Sequence, residues 1–454
     1  MRTWCVALAM LRVLTSLAAA DPPAPAPATT PAAAPAANKL TLDQVIAKAV
    51  DNPRVRMAEE DRESAAARVD EADAARLPRI KGTAFATISP KITCQNVDCT
   101  ETEPHNFAFD FSGVFAGAEL DVTQPLYTFG KIQHARDAAR AGLAAQAALA
   151  DEAAGDAASD AAKAYWGLKL ARELGDMLDD GIEEIGKAKA DFDDKHGATI
   201  QDRQRVAVLL ATAKAQRADA RLAEAQALAG LRAITALPDA DIDDSELVAV
   251  ERALPPQLDT AARPQRVAAR SGATAADALA DAQYSQYFPD IALIGSALIS
   301  DATGAQDPPS AYAYNPYNRA GAGLVVGLQW TIEPWNVKAR TDRARADARK
   351  SHAQSDLAAL GARMDGDTAL GEAGAAHEKV DAAAEGEKAA RTWLAAVLQS
   401  QAIGTAEARD LADAYIAWFQ MRAQWAQAVF QWNVAVVRLG RATGEFRAGP
   451  SRPR

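Results

Sequence analysis

Two cysteines, Cys94 and Cys99, are the residues whose type and spacing could most directly do chemistry in this sequence. In an exported chain two such thiols predict a small loop disulfide, because compartments outside the cytoplasm are oxidising. His105 follows them, but two thiols and one imidazole are one ligand short of a structural zinc site. The sequence therefore predicts a disulfide between Cys94 and Cys99, and neither a metal nor a cofactor.

Patterns that mark catalytic sites are missing from the sequence. No G-x-x-x-x-G-K-[ST], H-E-x-x-H or G-x-S-x-G occurs, and the five histidines are scattered. Gly321, Gly323 and Gly327 loosely resemble a dinucleotide fingerprint, but the last spacing is wrong and the segment alternates like a strand. The sequence predicts that this protein is not an enzyme.

Composition and charge narrow the class of protein further. The chain has 454 residues, of which 49% are hydrophobic and 24% charged, so it is not disordered by composition. The formal charge of −11 argues against a nucleic-acid partner, since phosphate binding needs a basic surface. No apolar run long enough to span a membrane as a helix follows the first twenty residues. Hydropathy, however, is almost insensitive to spanning strands.

The N-terminal residues are typical of an exported protein. Met1–Ala20 has a basic residue at Arg2, an apolar stretch and a small-residue end, which predict a secretory signal peptide over residues 1–20. The alternative is a disordered N-terminus. Residues 21–38 alternate Pro with Ala and Thr, which predicts an extended linker.

An internal duplication organises the rest of the chain. Repeat 1 covers 39–237, a linker 238–256, repeat 2 257–446 and a tail 447–454. Landmarks recur in one order at an offset of about 210 residues, as repeats do. The matched pairs are Pro53 with Pro264, Pro78 with Pro289, Gln124–Tyr127 with Glu333–Asn336, and His196-Gly197 with Ile403-Gly404.

Each repeat predicts one helix, two strands and a long helical hairpin. Period-two alternation places strands at about 79–90, 107–124, 289–300 and 319–333. Proline-poor segments rich in Ala and charged residues place hairpins at 130–236 and 338–443. The strand lengths suit an outer-membrane barrel, and the alternative is a half-buried soluble sheet. Four strands cannot close a barrel alone, so a barrel would need several chains.

The last helix carries the sharpest periodicity in the sequence. Leu411, Trp418, Trp425, Trp432 and Leu439 recur at steps of seven. A second series lies four positions after the first four of these residues and consists of Tyr415, Arg422, Val429 and Val436. A seven-residue repeat predicts a coiled-coil seam, and packing is a better interpretation of these tryptophans than a cofactor site.

Taken together, these features resemble the TolC family of outer-membrane efflux proteins. The resemblance rests on the signal, the duplicated halves, the L-T-L-D-Q-V-I-A-K-A-V opening at Leu40–Val50 and the Q-P-L-Y turn at Gln124–Tyr127. It implies a mainly α fold with a small membrane β-barrel, in which a homotrimer forms a 12-stranded barrel on an α-helical coiled-coil tunnel. It also implies an outer-membrane channel of a tripartite efflux or type I secretion system in a Gram-negative bacterium. The partners would be outer-membrane lipid, a periplasmic adaptor (membrane fusion) protein and an inner-membrane RND, ABC or MFS transporter.

The resemblance further points to a gate at the second hairpin tip. Asp410 and Asp413 fall where the family has two aspartates around its periplasmic aperture, and their spacing of three places them on one helix face. Ala406 stands where the family has a latching arginine, and Arg409 could substitute. The alternative is that both aspartates are ordinary solvated residues. By the same resemblance, adaptor docking would use the hairpin tips, at Gly197, Asp202, Gly404 and Thr405.

The same features leave one alternative class of protein. A periplasmic coiled-coil adaptor or scaffold without a membrane barrel would also carry a long helical hairpin. An adaptor would have one hairpin rather than two in a duplication. A scaffold would leave the alternating phenylalanine face from Phe107 to Phe115 exposed.

Overall fold

The computed structural model of this chain describes residues 38–89, 113–194, 199–305, 315, 317–403, 405 and 407–446. Several predicted features lie outside the described residues: the signal peptide, residues 21–37 of the linker, Cys94, Cys99, Gly197, Gly404 and the tail 447–454.

Among the described residues, α-helices account for most of the chain. They are α1 Leu42–Val50, α2 Pro53–Ala74, α3 Lys131–Asp194, α4 Ile200–Thr235, α5 Pro264–Tyr284, α6 Pro334–Ala402 and α7 Ala408–Thr443. At the start of α2 the Asn52 side chain accepts the Arg54 N–H at 3.1 Å, and Pro53 occupies the first turn, where its missing N–H costs nothing. Gly444, with φ of 77°, ends α7. None of the described helices combines the length and apolar character needed to cross a membrane.

The two longest helices are the first helices of the two hairpins. Helix α3 has 64 residues and α6 has 69. At ~1.5 Å per residue each extends about 100 Å, far longer than one globular core requires. Helix α4 packs back along α3, and α7 packs back along α6, so each pair is an antiparallel hairpin.

The strands form two separate sheets. Strands β2 Arg79–Ser89, β3 Gly113–Tyr127, β5 Asp290–Ala302 and β6 Arg319–Gln329 make an antiparallel sheet in the order β2-β3-β5-β6. Strands β1 Asn38–Leu40 and β4 Ala240–Ile242 pair in parallel. The contact between β3 and β5, which runs from Phe115 opposite Ala302 to Tyr127 opposite Ile291, joins the two halves of the chain. The predicted tandem order of helix, two strands and hairpin is confirmed.

The structure differs locally from the sequence-based expectations at Gln124–Tyr127. That segment was predicted as a turn, but it continues β3, with a register irregularity between Pro125 and Tyr127. Pairing with β5 overrides the local proline signal, and the bulge accommodates the missing N–H. The chain turns instead at Phe129 and Gly130, both with positive φ. Strand β6 ends at Gln329, short of the predicted 333, and residues 330–333 connect it to α6, which begins at Pro334.

The neighbours of each helix change along the hairpins. Near the large sheet, α5 packs between α3 and α6, and α2 packs on α3. Towards the hairpin tips, α7 packs against both α3 and α6, and α4 also touches α7. The seven-residue stripe of α7 lies in this interior, with Leu411, Trp432 and Leu439 buried and the two other tryptophans half-buried. The packing interpretation of the stripe is therefore confirmed.

Candidate functional site

The predicted docking residues that the structure describes act as helix caps at the two tips. The Asp202 carboxylate accepts the hydroxyl of Thr199 at 2.6 Å and its backbone N–H at 3.2 Å, which fixes the start of α4. Thr405 donates its backbone N–H at 2.9 Å and its hydroxyl at 3.1 Å to the Ser400 carbonyl, which closes the end of α6. Both tips also expose a large apolar side chain, at Ile200 and Ile403.

The predicted gate residues lie in the first two turns of α7. Asp410 and Asp413 are both exposed, while the intervening Leu411 and Ala412 are buried. The Nε atom of Arg409 lies 3.6 Å from the Asp413 carboxylate, an exposed ion pair one turn apart. The structure thus places the two carboxylates on the solvent side of the helix and brings Arg409 to one of them.

A groove lies beside the second tip, between the two hairpins. Its cavity of about 570 Å³ is lined by α3 and the end of α6. The lining combines charged, amide and apolar side chains: Glu184, Lys187, Ala188, Asp191, Phe192, Leu398, Gln401, Ala402 and Ile403. Sequence reasoning missed this groove, because its two walls lie some two hundred residues apart in the chain.

Tyr415 is a deeply buried side chain near the tips that carries a hydroxyl. It is 2% exposed, and its hydroxyl has no hydrogen-bond partner among the described residues. Burial raises the pKa of Tyr415 to about 12, and the nearby Glu184 carboxylate acts in the same direction. The phenol is therefore neutral at physiological pH, and it belongs to the apolar cluster that joins α3, α4, α6 and α7.

A charged network crosses between the hairpins farther from the tips. Arg422 of α7 forms ion pairs with Glu173 of α3 and with Glu387 of α6, the latter at 3.7 Å. Arg391 also binds Glu387, at 2.6 Å, and the Arg422 guanidinium lies 4.4 Å over the Trp425 ring. The available sequence signal was Arg422 itself, a charged residue in the otherwise uncharged series of Tyr415, Val429 and Val436.

The predicted linker 238–256 is packed tightly on the helices. Tyr165 of α3 donates its hydroxyl to Asp243 at 2.5 Å, and the buried Lys169 ammonium donates to the Ser245 carbonyl at 2.5 Å. Burial lowers the pKa of Lys169, against the opposing influence of Asp243. Burial alone would raise the pKa of Asp243, but bonds from Ser245 and Tyr165 and the charge of Lys169 outweigh it and hold that pKa below its ordinary value.

The described part of the chain was also searched for clusters of metal-binding side chains. Among those residues, no group of three His, Cys, Asp or Glu side chains is arranged to hold an ion. Cys94, Cys99 and His105 lie outside this search.

Long paired helices attached to a small antiparallel sheet define a class of protein, the outer-membrane channel that is mainly α with a small barrel part. The chain belongs to the outer membrane efflux protein family, whose model matches residues 47–237 and 256–445. The resemblance to TolC-like efflux proteins is thereby confirmed. The protein is an outer-membrane duct of tripartite efflux systems in Gram-negative bacteria, with a long periplasmic helical tunnel. Membership implies a passive, trimeric channel that works together with an efflux system.

Solved structures agree with this fold. The CmeC outer-membrane channel of Campylobacter jejuni is similar with a TM-score of 0.73 and 17% identity, covering 90% of this chain and 87% of that chain. The open-state MtrE channel of Neisseria gonorrhoeae gives a TM-score of 0.73 and 20% identity, covering 89% of this chain and 88% of that chain. VceC of Vibrio cholerae gives a TM-score of 0.73 and 16% identity, covering 90% of this chain and 97% of that chain. No curated protein gives a significant sequence match.

Proposed function

We propose that three copies of this chain assemble into a passive exit duct with a twelve-stranded barrel and no enzymatic activity. The observation that carries the proposal is the four-stranded sheet with β2 and β6 at its edges. Edge strands present unpaired backbone groups, which in lipid must all be satisfied, and closure with neighbouring copies satisfies them. Apolar side chains of both edge strands are exposed in the single chain, among them Ile80, Ile88, Leu324, Val326 and Leu328.

Assembly is tested by the size of the detergent-solubilised protein. We expect full-length protein extracted from outer membranes to run as a trimer by light scattering coupled to a sizing column. Planar bilayers that receive this trimer should show ion conductance. A protein that is monomeric and stays in the aqueous fraction without detergent contradicts the proposal.

We propose that Asp410 and Asp413 form the gate at the tip end. The support is their exposure on one side of α7 and their place directly after the turn. Three copies would bring six carboxylates around one opening, which attracts multivalent cations. If the two aspartates are instead ordinary solvated residues, their removal leaves cation block unchanged.

The gate is tested by single-channel recording with a multivalent cation on the tip side. The double variant Asp410→Ala with Asp413→Ala should lose at least tenfold in sensitivity to cation block. The matched control is Asp219→Ala, which removes an exposed aspartate of α4 away from the tip. If the double variant is blocked as strongly as the wild type, the two aspartates take no part in the gate.

We propose that the hairpin tips, including Gly197, Asp202, Gly404 and Thr405, dock the helical hairpin of a periplasmic adaptor. Support comes from the exposed Ile200 and Ile403 and from the groove of about 570 Å³ beside the second tip. Apolar ridges beside a groove suit an amphipathic helical partner. The energy would come from an inner-membrane RND, ABC or MFS transporter, and the same duct geometry would serve type I secretion.

Docking is tested by photo-crosslinking in intact cells. A photoreactive residue at Ile403 should capture a periplasmic protein that mass spectrometry identifies as an adaptor encoded beside this gene, together with its transporter. The same residue at Leu222, exposed on α4 near the opposite end, is the control. Products that contain only copies of this chain would place the docking surface elsewhere.

A further inference from the structure

The four-stranded sheet has one apolar face and one polar face. Residues directly opposite each other on paired strands share a face. Charged residues lie on one of the two faces, where Lys81 stands opposite Asp121. In the proposed barrel this face lines the watery interior, and the other face meets lipid. The register gives the lipid face six large apolar side chains: Ile80, Val122, Ile291, Leu324, Val326 and Leu328.

Aromatic side chains collect where this lipid face approaches the helices. Trp330 continues the alternation of β6 on the same face, and its indole N–H donates to the Tyr287 carbonyl at 3.2 Å. The Tyr287 ring contacts Tyr284 with centroids 5.6 Å apart, and Phe288 packs on both Tyr284 and Phe129. Tryptophan and tyrosine are typical of the boundary between hydrocarbon and water. This aromatic belt therefore marks the level of the lipid headgroups on the periplasmic side.

Basic residues begin directly below the aromatic belt, in the first turns of α6. Between residues 338 and 350, six lysines and arginines stand against two aspartates, in a chain whose net charge is −11. Three of these cations, Lys338, Arg345 and Arg349, follow one another at steps of seven and four, which places them on one side of the helix. A different side of α6, with Val337 and Thr341, is buried against the rest of the chain.

Arg345 connects the basic side of α6 to the aromatic belt. Its guanidinium lies 5.6 Å over the Tyr284 ring. Side chains of an α-helix lean towards its N-terminus, and the N-terminus of α6 is the end beside the sheet. The guanidinium therefore reaches the belt although the residue lies about 16 Å along the helix from Pro334. Because Tyr284 contacts Tyr287, which holds the lipid-facing Trp330, the guanidinium lies on the lipid side of the molecule.

The cations of this side outnumber the carboxylate beside them. Lys338 donates to the Asp342 carboxylate at 2.5 Å. This bond lowers the pKa of Asp342, and the nearby charges of Arg345 and Arg349 act in the same direction. All four side chains are exposed, and neither arginine is in an ion pair within the described part of the chain. Three cations and one carboxylate leave a positive surplus directly under the headgroup level.

We propose that Lys338 and Arg345 bind the phosphate of an anionic phospholipid in the periplasmic leaflet of the outer membrane. The guanidinium fork donates two parallel N–H bonds to phosphate oxygens, and the ammonium adds a point charge. Tyr284 holds the guanidinium from its other side. The acyl chains lie against the lipid face of the sheet above, which favours a lipid over free phosphate. The inference rests on the proposed trimeric barrel and adds a ligand to it.

Lipid binding is measured by native mass spectrometry of the detergent-solubilised trimer during titration with phosphatidylglycerol. The double variant Lys338→Gln with Arg345→Gln should bind this lipid about tenfold more weakly than wild type, because two cations at an anionic surface are lost. Binding of zwitterionic phosphatidylcholine should change much less. Asp342→Asn should bind phosphatidylglycerol about twofold more tightly, since it removes the carboxylate that competes with the phosphate for Lys338.

The matched control is the double variant Arg340→Gln with Arg343→Gln. It removes two exposed cations from the same turns of α6, but from another side of the helix. Phosphatidylglycerol binding should stay at the wild-type level in this control. Should the Lys338 and Arg345 double variant fail to form trimers, Lys338→Gln and Asp342→Asn alone must still shift binding in opposite directions.

Outcomes of the titration separate the lipid site from the duct. A wild-type protein that stays monomeric in detergent contradicts the duct itself. A wild-type trimer that binds phosphatidylglycerol no better than phosphatidylcholine overturns the lipid site alone, as do equal losses in the two double variants. Displacement of the lipid by inorganic phosphate at equal concentration would show that the cations bind free phosphate, which also overturns the lipid assignment.

Discussion

The indole N–H of Trp432 donates a hydrogen bond of 2.8 Å to the backbone carbonyl of Val250. The neighbouring Asn433 side chain accepts the Val250 N–H and donates to the Val248 carbonyl, both at 2.8 Å. Two consecutive residues of α7 thus pair with the extended segment that connects the halves. The tryptophan stripe serves two purposes, packing between helices and attachment of this connection.

Replacing Trp432 by Phe should destabilise the protein by about 1–3 kcal/mol, because the Val250 carbonyl loses its partner in a part-buried site. Thermal unfolding of the detergent-solubilised protein measures the loss. Trp393→Phe is the control, since Trp393 is 46% exposed and should change stability much less. Equal effects at the two positions would show that the hydrogen bond contributes little.

Two glycines of α3 should respond oppositely to alanine. At Gly181 a Cβ would lie 2.3 Å from the Phe419 ring, so Gly181→Ala should cost about 1–3 kcal/mol through overpacking. At Gly186 nothing lies within 4 Å of the added atom, so Gly186→Ala should stabilise the helix by about 0.5–1 kcal/mol. Unfolding curves of the two variants measured side by side decide this, and a stabilising Gly181→Ala would contradict the close packing described.

The contribution of Asp243 should depend on pH. Because its pKa is lowered in the folded protein, the carboxylate stabilises the fold above its ordinary value of 3.8, and this stabilisation is lost as pH falls through the lowered folded value. Asp243→Asn should therefore destabilise by about 2 kcal/mol at pH 7, the range for hydrogen bonds to charged groups. The difference from wild type should be unchanged at pH 5 and shrink below pH 3.8.

Thermal unfolding at pH 7, 5 and 3 provides the measurement, with Asp219→Asn as a control for an exposed aspartate. A penalty for Asp243→Asn that is as large at pH 3 as at pH 7 would show that packing, not charge, holds residues 243–245 on α3.

Arg409 should moderate cation binding at the proposed gate. Its guanidinium lies 3.6 Å from Asp413, so Arg409→Gln leaves that carboxylate without this positive neighbour. We expect multivalent cations to block the channel at concentrations several-fold lower than in wild type, because an exposed pair of this kind is worth about 0.5 kcal/mol per copy and three copies act together. Single-channel titration with the cation measures the blocking concentration. A weaker block in Arg409→Gln than in wild type would contradict the assignment of Asp413 to the gate.

The local sequence pattern predicted much of the architecture. Period-two alternation found Ile291–Ser300 and Ala320–Gln329 as strands, and the seven-residue series on α7 found a buried seam. Pro53 and Pro264, two landmarks of the duplication, occupy the first turns of α2 and α5, where a residue without an N–H is tolerated. The second hairpin was expected from residue 338, but α6 begins already at Pro334. At Gln124–Tyr127 the same kind of signal misled, since a cross-strand partner overrode the local preference.

At the hairpin tips, too, some features were predicted from the sequence and others were revealed only by the structure. Sequence resemblance selected Asp410 and Asp413 as gate residues, and the structure adds their exposure and the Arg409 pair, while their role stays a prediction. The groove beside Ile403 and the Arg422 network could not be predicted from the sequence, because each joins residues from both halves of the chain.

The sequence by itself determined the order of elements, the duplication and the length of the hairpins, since these follow from periodicity and breakers within a few turns of chain. Only the tertiary structure decided which elements meet. It paired β3 with β5, docked residues 240–250 on α3 and α7, and placed Arg422 between Glu173 and Glu387. Such contacts depend on register between segments far apart in the chain, and many registers satisfy the same local pattern. Burial of complementary side chains then selects one of them.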